Sequence, residues 1–221
     1  MRGTAQASRY DPGKDCQNHQ QGGTTTMSKL LRTTLLAATI AWLPLTAERA
    51  AAGTFDIDPV HSGIAFFIDH LGFSQVIGIA KEFSGSFQFD ATKPTESSLD
   101  VAVKVAGIST NNSQRDSDIQ GADWFNATEF PQITFVGHEF KAVDAKSGTI
   151  AGDLTIAGVT KPVTLDVTFN KEGQNPWDKS HVVGFSARAS IKRSDFGMKA
   201  ALGMIGDDVS LVVQVEGRAR S

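Results

Sequence analysis

The chain has 221 residues, a formal net charge of −3, 40% hydrophobic residues and one cysteine. Six of its 21 Lys and Arg and three of its 24 Asp and Glu precede residue 53, leaving 15 against 21 afterwards and a net charge near −6 there. That acidic balance excludes a basic nucleic-acid face and a polybasic grip on anionic lipid, and with Cys16 upstream the later part has no disulfide, thiolate metal site or cysteine nucleophile.

Residues 1–26 are polar and patternless, as expected of a disordered extension or of translation from a start upstream of the true one. Met27 opens a better leader. Lys29 and Arg32 make a basic start, residues 35–45 a largely apolar run, and Ala50, Ala51 and Ala52 a small-residue cleavage site. The run is too short, and too soon followed by Glu48 and Arg49, to span a bilayer comfortably. Residues 27–52 are therefore expected to be a cleaved signal peptide, residues 53–221 one exported domain, and its destination the periplasm.

All fourteen phenylalanines lie in that domain, whereas the one tyrosine, Tyr10, does not. Tyrosine brings a hydroxyl that needs a partner when buried; phenylalanine brings only hydrocarbon. Such an interior suits either a solid core or a pocket for an apolar ligand.

Alternation of period two then dominates. Ile64, Phe66 and Ile68 share one strand face, and Phe83, Gly85, Phe87 and Phe89 another. Leu99, Val101, Val103 and Val105 alternate with Asp100, Ala102 and Lys104. Residues 109–130 break the pattern. Ser109 or Thr110 is placed to cap a short helix, Gly121 to end or bend it, and Trp124, Phe125 and Phe130 add apolar mass before Pro131. One or two short helices covering an end of the fold, or a long loop with tucked aromatics, both fit this segment.

Residues 132–140 restore a strand through Ile133 and Phe135. Leu154 and Ile156, then Val163, Leu165, Val167 and Phe169, then Phe185, Ala187, Ala189 and Ile191, and last Val209, Leu211, Val213 and Val215 continue the alternation. Gly158–Lys161 is expected to be a turn, with Pro162 opening the next strand, and residues 171–179 a looser turn. Serial strands with one apolar face indicate an antiparallel sheet, and about eight of them close naturally into a barrel. On alternation alone the inward set is Phe66, Ile68, Phe83, Phe87, Val101, Val103, Phe135, Leu154, Ile156, Leu165, Val167, Phe185, Leu211 and Val213. A slip of one residue in any strand would invert its face.

Four segments in order carry a resemblance: IDPVHSGIAFFIDHLG at 57–72, STNNSQRDSDIQGADWFNATEFPQITF at 109–135, GDLTIAGVTKPVTLDVTF at 152–169, and IKRSDFGMK at 191–199 followed by GDDVSLVVQVEG. Together they resemble the YceI-like family of exported, lipocalin-like polyisoprenoid-binding proteins. The resemblance implies an all-β, antiparallel lipocalin-like barrel of about eight strands with short helices near the opening. It also implies a long isoprenoid or similar amphiphile in the lumen, no cofactor, and no catalysis. After Gly78 the family carries an aromatic two positions on; this chain has Ala80.

At the mouth the candidates are Arg115, Trp124 and Phe125. Arg115 either holds a headgroup oxygen, which its planar fork suits, or ties the helical segment to a strand. Arg193, in RSDFG, invites the same two choices, with Asp195 and Gly197 pointing to a turn. His61 is expected to fix the turn it sits in; pairing it with His70 and Asp58 or Asp69 matches no zinc spacing. No nucleophile elbow, phosphate loop or metal cluster is present in the sequence. Expected partners are an isoprenoid or quinone-like lipid, a membrane touched transiently and a second copy in a homodimer. The alternative is an interaction module whose filled barrel acts on a membrane protein.

Overall fold

The structure, a computed structural model, describes residues 53–220. The extension 1–26 and the signal peptide 27–52 expected from the sequence lie outside the described residues. Eleven strands form one antiparallel sheet: β1 (Gly53–Ile57), β2 (Gly63–His70), β3 (Ser74–Ala80), β4 (Phe83–Phe89), β5 (Ser98–Lys104), β6 (Ile108–Ser109), β7 (Gln132–Ala142), β8 (Ser147–Ile156), β9 (Val159–Gln174), β10 (His181–Lys192) and β11 (Ile205–Ala219). Eight of them close a ring in the order β1-β4-β5-β7-β8-β9-β10-β11, because β1 pairs with both β4 and β11.

The fifteen-residue β11 serves two partners. Its last part, Gly217–Ala219, holds β1, and its earlier part, from Ile205 to Gln214, holds β2. The β2–β3 hairpin and β6 extend the sheet from there. One end of the barrel carries the β7–β8 hairpin and the 90–97 loop. The other carries the segment after β6, with α1 (Ser113–Asp118) and a 3-10 turn at Arg193–Phe196. We refer to these as the hairpin end and the helical end.

Local chemistry differs from the sequence expectation at three places. The helix is capped by Asn112, whose side chain accepts from the Arg115 N–H at 3.0 Å, and not by Ser109 or Thr110. Thr110 is occupied: its N–H and hydroxyl both donate to Asp116 Oδ1, at 2.7 and 2.6 Å. The β8–β9 turn is only Ala157-Gly158, with φ of 47° and 77°, the pair of positive φ values of a type I′ hairpin turn. Val159, Thr160 and Lys161 therefore belong to β9, and Pro162 lies inside it, opposite Asp153. Proline is tolerated there because β10 pairs with β9 only between Asp166 and Gln174, so Pro162 has a strand on one side alone. Val105, expected to end a strand, starts a 3-10 turn and is fully buried.

Two apolar clusters line the interior. Phe135, Leu154, Ile156, Ile191, Phe196 and Met198 gather toward the helical end. Phe55, Ile57, Phe87 and Val183 gather around the seam between β1 and β11.

Candidate functional site

The lumen is not filled by side chains. A cavity of about 690 Å³ runs inside the barrel, within the size range of small-molecule sites. Of the fourteen residues expected to face inward, thirteen line it; the exception is Phe83. Phe83 shares the inward face of β4 with Phe87 but packs against the Phe55, Ile57, Phe87 and Val183 cluster, so its ring thickens the wall. Further lining comes from residues outside that set: Ile64, Ile133, Phe169 and Val209, which share its alternating faces, and Ile119 from the helical segment.

At the hairpin end four phenylalanines crowd together. Phe185 meets Phe87, Phe89 and Phe169 at centroid distances of 5.8, 5.0 and 5.7 Å, each edge to face. The hydroxyl of Ser97, also in the lining, is buried with no protein partner. On β3, Gly78 lies under the Phe66 ring, which occupies the space a Cβ would need. Ala80 lines the cavity beside it, where the smaller side chain leaves room.

At the helical end Arg115, Trp124 and Phe125 all line the cavity. Arg115 is engaged within its own segment. Its Nε donates to Thr110 Oγ1 at 2.8 Å and its Nη2 to the Thr110 carbonyl at 2.7 Å. The Thr110 hydroxyl bond is also the main reason the Asp116 carboxyl is held below its ordinary pKa. These contacts describe a tie that folds α1 back on the chain leaving β6.

The polar group that sequence reasoning undervalued is Arg193. The turn expected there exists, closed by Gly197 at φ 83°. Its carboxylate partner is Asp207, which accepts from Ser194 N at 2.9 Å and Ser194 Oγ at 2.8 Å, and not Asp195. Arg193 itself is 2% exposed and lines the cavity. It donates to the main-chain oxygens of Gly206, Met198 and Ile205 at 2.8, 2.7 and 3.0 Å. The Trp124 ring covers its guanidinium, 5.1 Å from centroid to Cζ. Burial pushes its pKa down, partly opposed by the Asp207 charge.

Away from the cavity, Asp58, His61 and Glu216 offer ligand atoms within 4.8 Å of one another. Asp58 and His61 are already committed to each other. Asp58 accepts from Val60 N, His61 Nδ1 and Arg218 Nε, at 2.9, 2.9 and 2.7 Å. His61 thus fixes its turn, as expected. His70 sits at the far end of β2, about 23 Å along the strand at ~3.3 Å per residue, so no His61–His70 metal pair exists.

Burial pushes the Asp58 carboxyl up, but the His61, Arg218 and Val60 hydrogen bonds outweigh it and hold the pKa at about 2. The same His61–Asp58 bond raises the His61 pKa. A depressed carboxylate contributes stability above its unfolded pKa, about 3.9, and loses it as pH falls toward its folded value. A raised histidine contributes below about 6.5 and loses its share as pH rises through the folded value. The turn is therefore tightest between about pH 4 and 6.5. Between pH 6 and pH 3 the parent should lose about 1–2 kcal/mol more than Asp58→Asn, an amount reduced because Arg218 is partly solvated. Urea unfolding of both proteins at the two pH values measures this; equal losses would remove Asp58 from the account.

A family model described as a YceI-like domain matches residues 55–217. A UPF0312 protein of Photorhabdus laumondii is 38% identical over 190 residues, covering 85% of this chain and 98% of that one. Protein YceI of Shigella flexneri is 38% identical over 189 residues, with the same shares covered. Among solved structures, a YceI protein of Campylobacter jejuni superposes with a TM-score of 0.63 at 34% identity, over 69% of this chain and 90% of that one. A polyisoprenoid binding domain from Saccharophagus degradans shares the fold, with a TM-score of 0.58 at 11% identity, over 77% of this chain and 100% of that one.

Proposed function

The chain belongs to the family of YceI-like domains, and from that membership we propose that it is a non-enzymatic carrier or store of a long-chain isoprenoid, such as a quinone or polyprenol-like lipid, held in the barrel lumen. The observation that carries this is the 690 Å³ cavity walled by Phe, Ile, Leu and Val. The Saccharophagus protein that shares the fold is a polyisoprenoid binding domain, which supports the same ligand class.

The energetics follow from the lining. Burial is worth about 0.8 kcal/mol per methylene. Several isoprene units would gain more than about 10 kcal/mol gross, before the cost of ordering the chain. Release into water would be very slow, so loading and delivery require contact with a membrane. Beside the helical end, Leu71 and Met204 are joined by a 2.9 Å main-chain hydrogen bond, and with Phe73 and Leu202 they expose apolar surface suited to brief contact. The leader at residues 27–52 supports work in the periplasm. Among the described residues no helix is long and apolar enough to cross a membrane.

The test is direct. Protein purified from its native host without detergent is extracted with organic solvent and the extract examined by mass spectrometry. An isoprenoid at near one per protein is expected. Repeated extracts free of any lipid would reject the carrier.

A further inference from the structure

We propose that Arg193 and Trp124 form the polar end of the cavity and receive a terminal oxygen acceptor, a carbonyl or an oxyanion, from the head of the bound chain. The inference rests on the carrier function above and adds the orientation of the ligand: head at the helical end, tail toward the hairpin end.

A guanidinium has five N–H donors. Three of those on Arg193 meet main-chain oxygens, which explains how Arg193 holds the 198–206 segment. These are neutral partners, so the charge stays uncompensated. Asp207 acts on it through space, but both carboxylate oxygens accept from Ser194. Among the described residues no carboxylate bonds to Arg193. Buried cations are ordinarily paired, because an unpaired charge away from water is costly. Here the unpaired cation is 2% exposed and forms part of a cavity wall that is otherwise mostly hydrocarbon.

A ligand oxygen at this place would take up donors that the protein leaves open. The Trp124 ring lies over the guanidinium at 5.1 Å, a contact that favours the charged form. A charge-assisted contact to these donors is about twice as strong as a neutral hydrogen bond. The opposite orientation is poorer. At the hairpin end the head would find the Ser97 hydroxyl and the solvated Lys141 and Lys146. The tail would then lie against the guanidinium, which hydrocarbon cannot solvate.

The test uses three saturated isoprenoid chains: the hydrocarbon phytane, the ketone phytone and the carboxylic acid phytanic acid. Each displaces the dye N-phenyl-1-naphthylamine from the full chain. The quantity read is the ratio of displacing concentrations, hydrocarbon to ketone and hydrocarbon to acid. Arg193→Met should lower at least one ratio about tenfold or more and leave displacement by phytane within about twofold. A fall confined to the ketone identifies a neutral carbonyl head; a fall confined to the acid identifies an oxyanion. If the methionine protein does not fold, Arg193→Lys keeps a cation without the fork and should lower a ratio about threefold. Ratios unchanged in the folded variant overturn the head site while leaving the carrier intact. A parent protein that binds neither dye nor any chain overturns the carrier, and the head site with it.

Discussion

Phe185→Asp should strip the protein of its lipid and leave the barrel standing. Phe185 lines the cavity and anchors three edge-to-face contacts with Phe87, Phe89 and Phe169. A carboxylate there would face hydrocarbon from the wall and hydrocarbon from the ligand. Neither can pair with it, so the loaded state carries the full cost of a buried charge. The empty protein escapes most of that cost, since the cavity can admit water around the new group. We expect bound lipid to fall more than tenfold, which corresponds to only about 1.4 kcal/mol. The lost ring contacts should remove roughly 2 kcal/mol of stability, less than the 3–5 of a solid core, because part of the ring already faces a void. For a domain of this size that is a fall in Tm of about 4–8 °C. Lipid analysis and a thermal melt on the same sample check both halves. Unchanged lipid would refute the cavity as the binding site, and complete unfolding would show that the wall tolerates no charge even when empty.

The second large effect is steric. Gly152, in the middle of β8, lies between Gly137 of β7 and Val163 of β9. A Cβ there would collide with the Val136 carbonyl oxygen, and would lie 2.6 Å from Phe135 Cζ and 2.9 Å from Gly137 Cα. Two of those three neighbours are main chain, which cannot swing aside as a side-chain tip can. Beside this point β7 bulges between Gly137 and Glu139, and a bulge bends its strand locally. Gly152→Val should cost about 3 kcal/mol or more, lowering Tm by roughly 6–12 °C. Gly63→Val is the control: no atom lies within 4 Å of its Cβ position, and its Tm should move by no more than about 2 °C. A Gly152→Val protein as stable as the control would contradict the close approach of β7 and β8.

How much of this was legible beforehand depends on what a single strand can announce. Where one face meets the lumen and the other water, alternation identifies the inward side, as in residues 163–169 and 209–215. It fails where both faces are apolar. In β3, Val76 and Ala80 face the cavity while Ile77 and Ile79 are exposed, so no period stands out. β1 is short, and β6 has two residues. Neither is long enough to show a pattern. Phe83 faces inward as expected but stays out of the cavity wall for a different reason. It packs against Phe55, Ile57, Phe87 and Val183, which come from three strands that no single segment brings together. Arg193 was left between a headgroup contact and a structural tie because its acceptors arrive from Met198, Ile205 and Gly206. Those carbonyls come over it only once the chain has folded back, which the residues around Arg193 do not announce. Serial alternation pointed to the barrel, and the family resemblance added the expectation of an isoprenoid; alternation alone could not choose between a solid core and a hollow one.

The seam between β1 and β11 has a consequence in time. Phe55 pairs with Ala219 and Ile57 with Gly217. Across the same seam Asp56 bonds to Arg220 and Asp58 to Arg218, separations of 164 and 160 residues. The first strand of the barrel waits for the last. Until residues 217–220 are available, β1 has only β4 beside it, and two sheet edges stay open to any passing chain. Contacts this distant in sequence put folding in the range of about milliseconds to seconds. The vulnerable period is the interval before residues 217–220 reach β1.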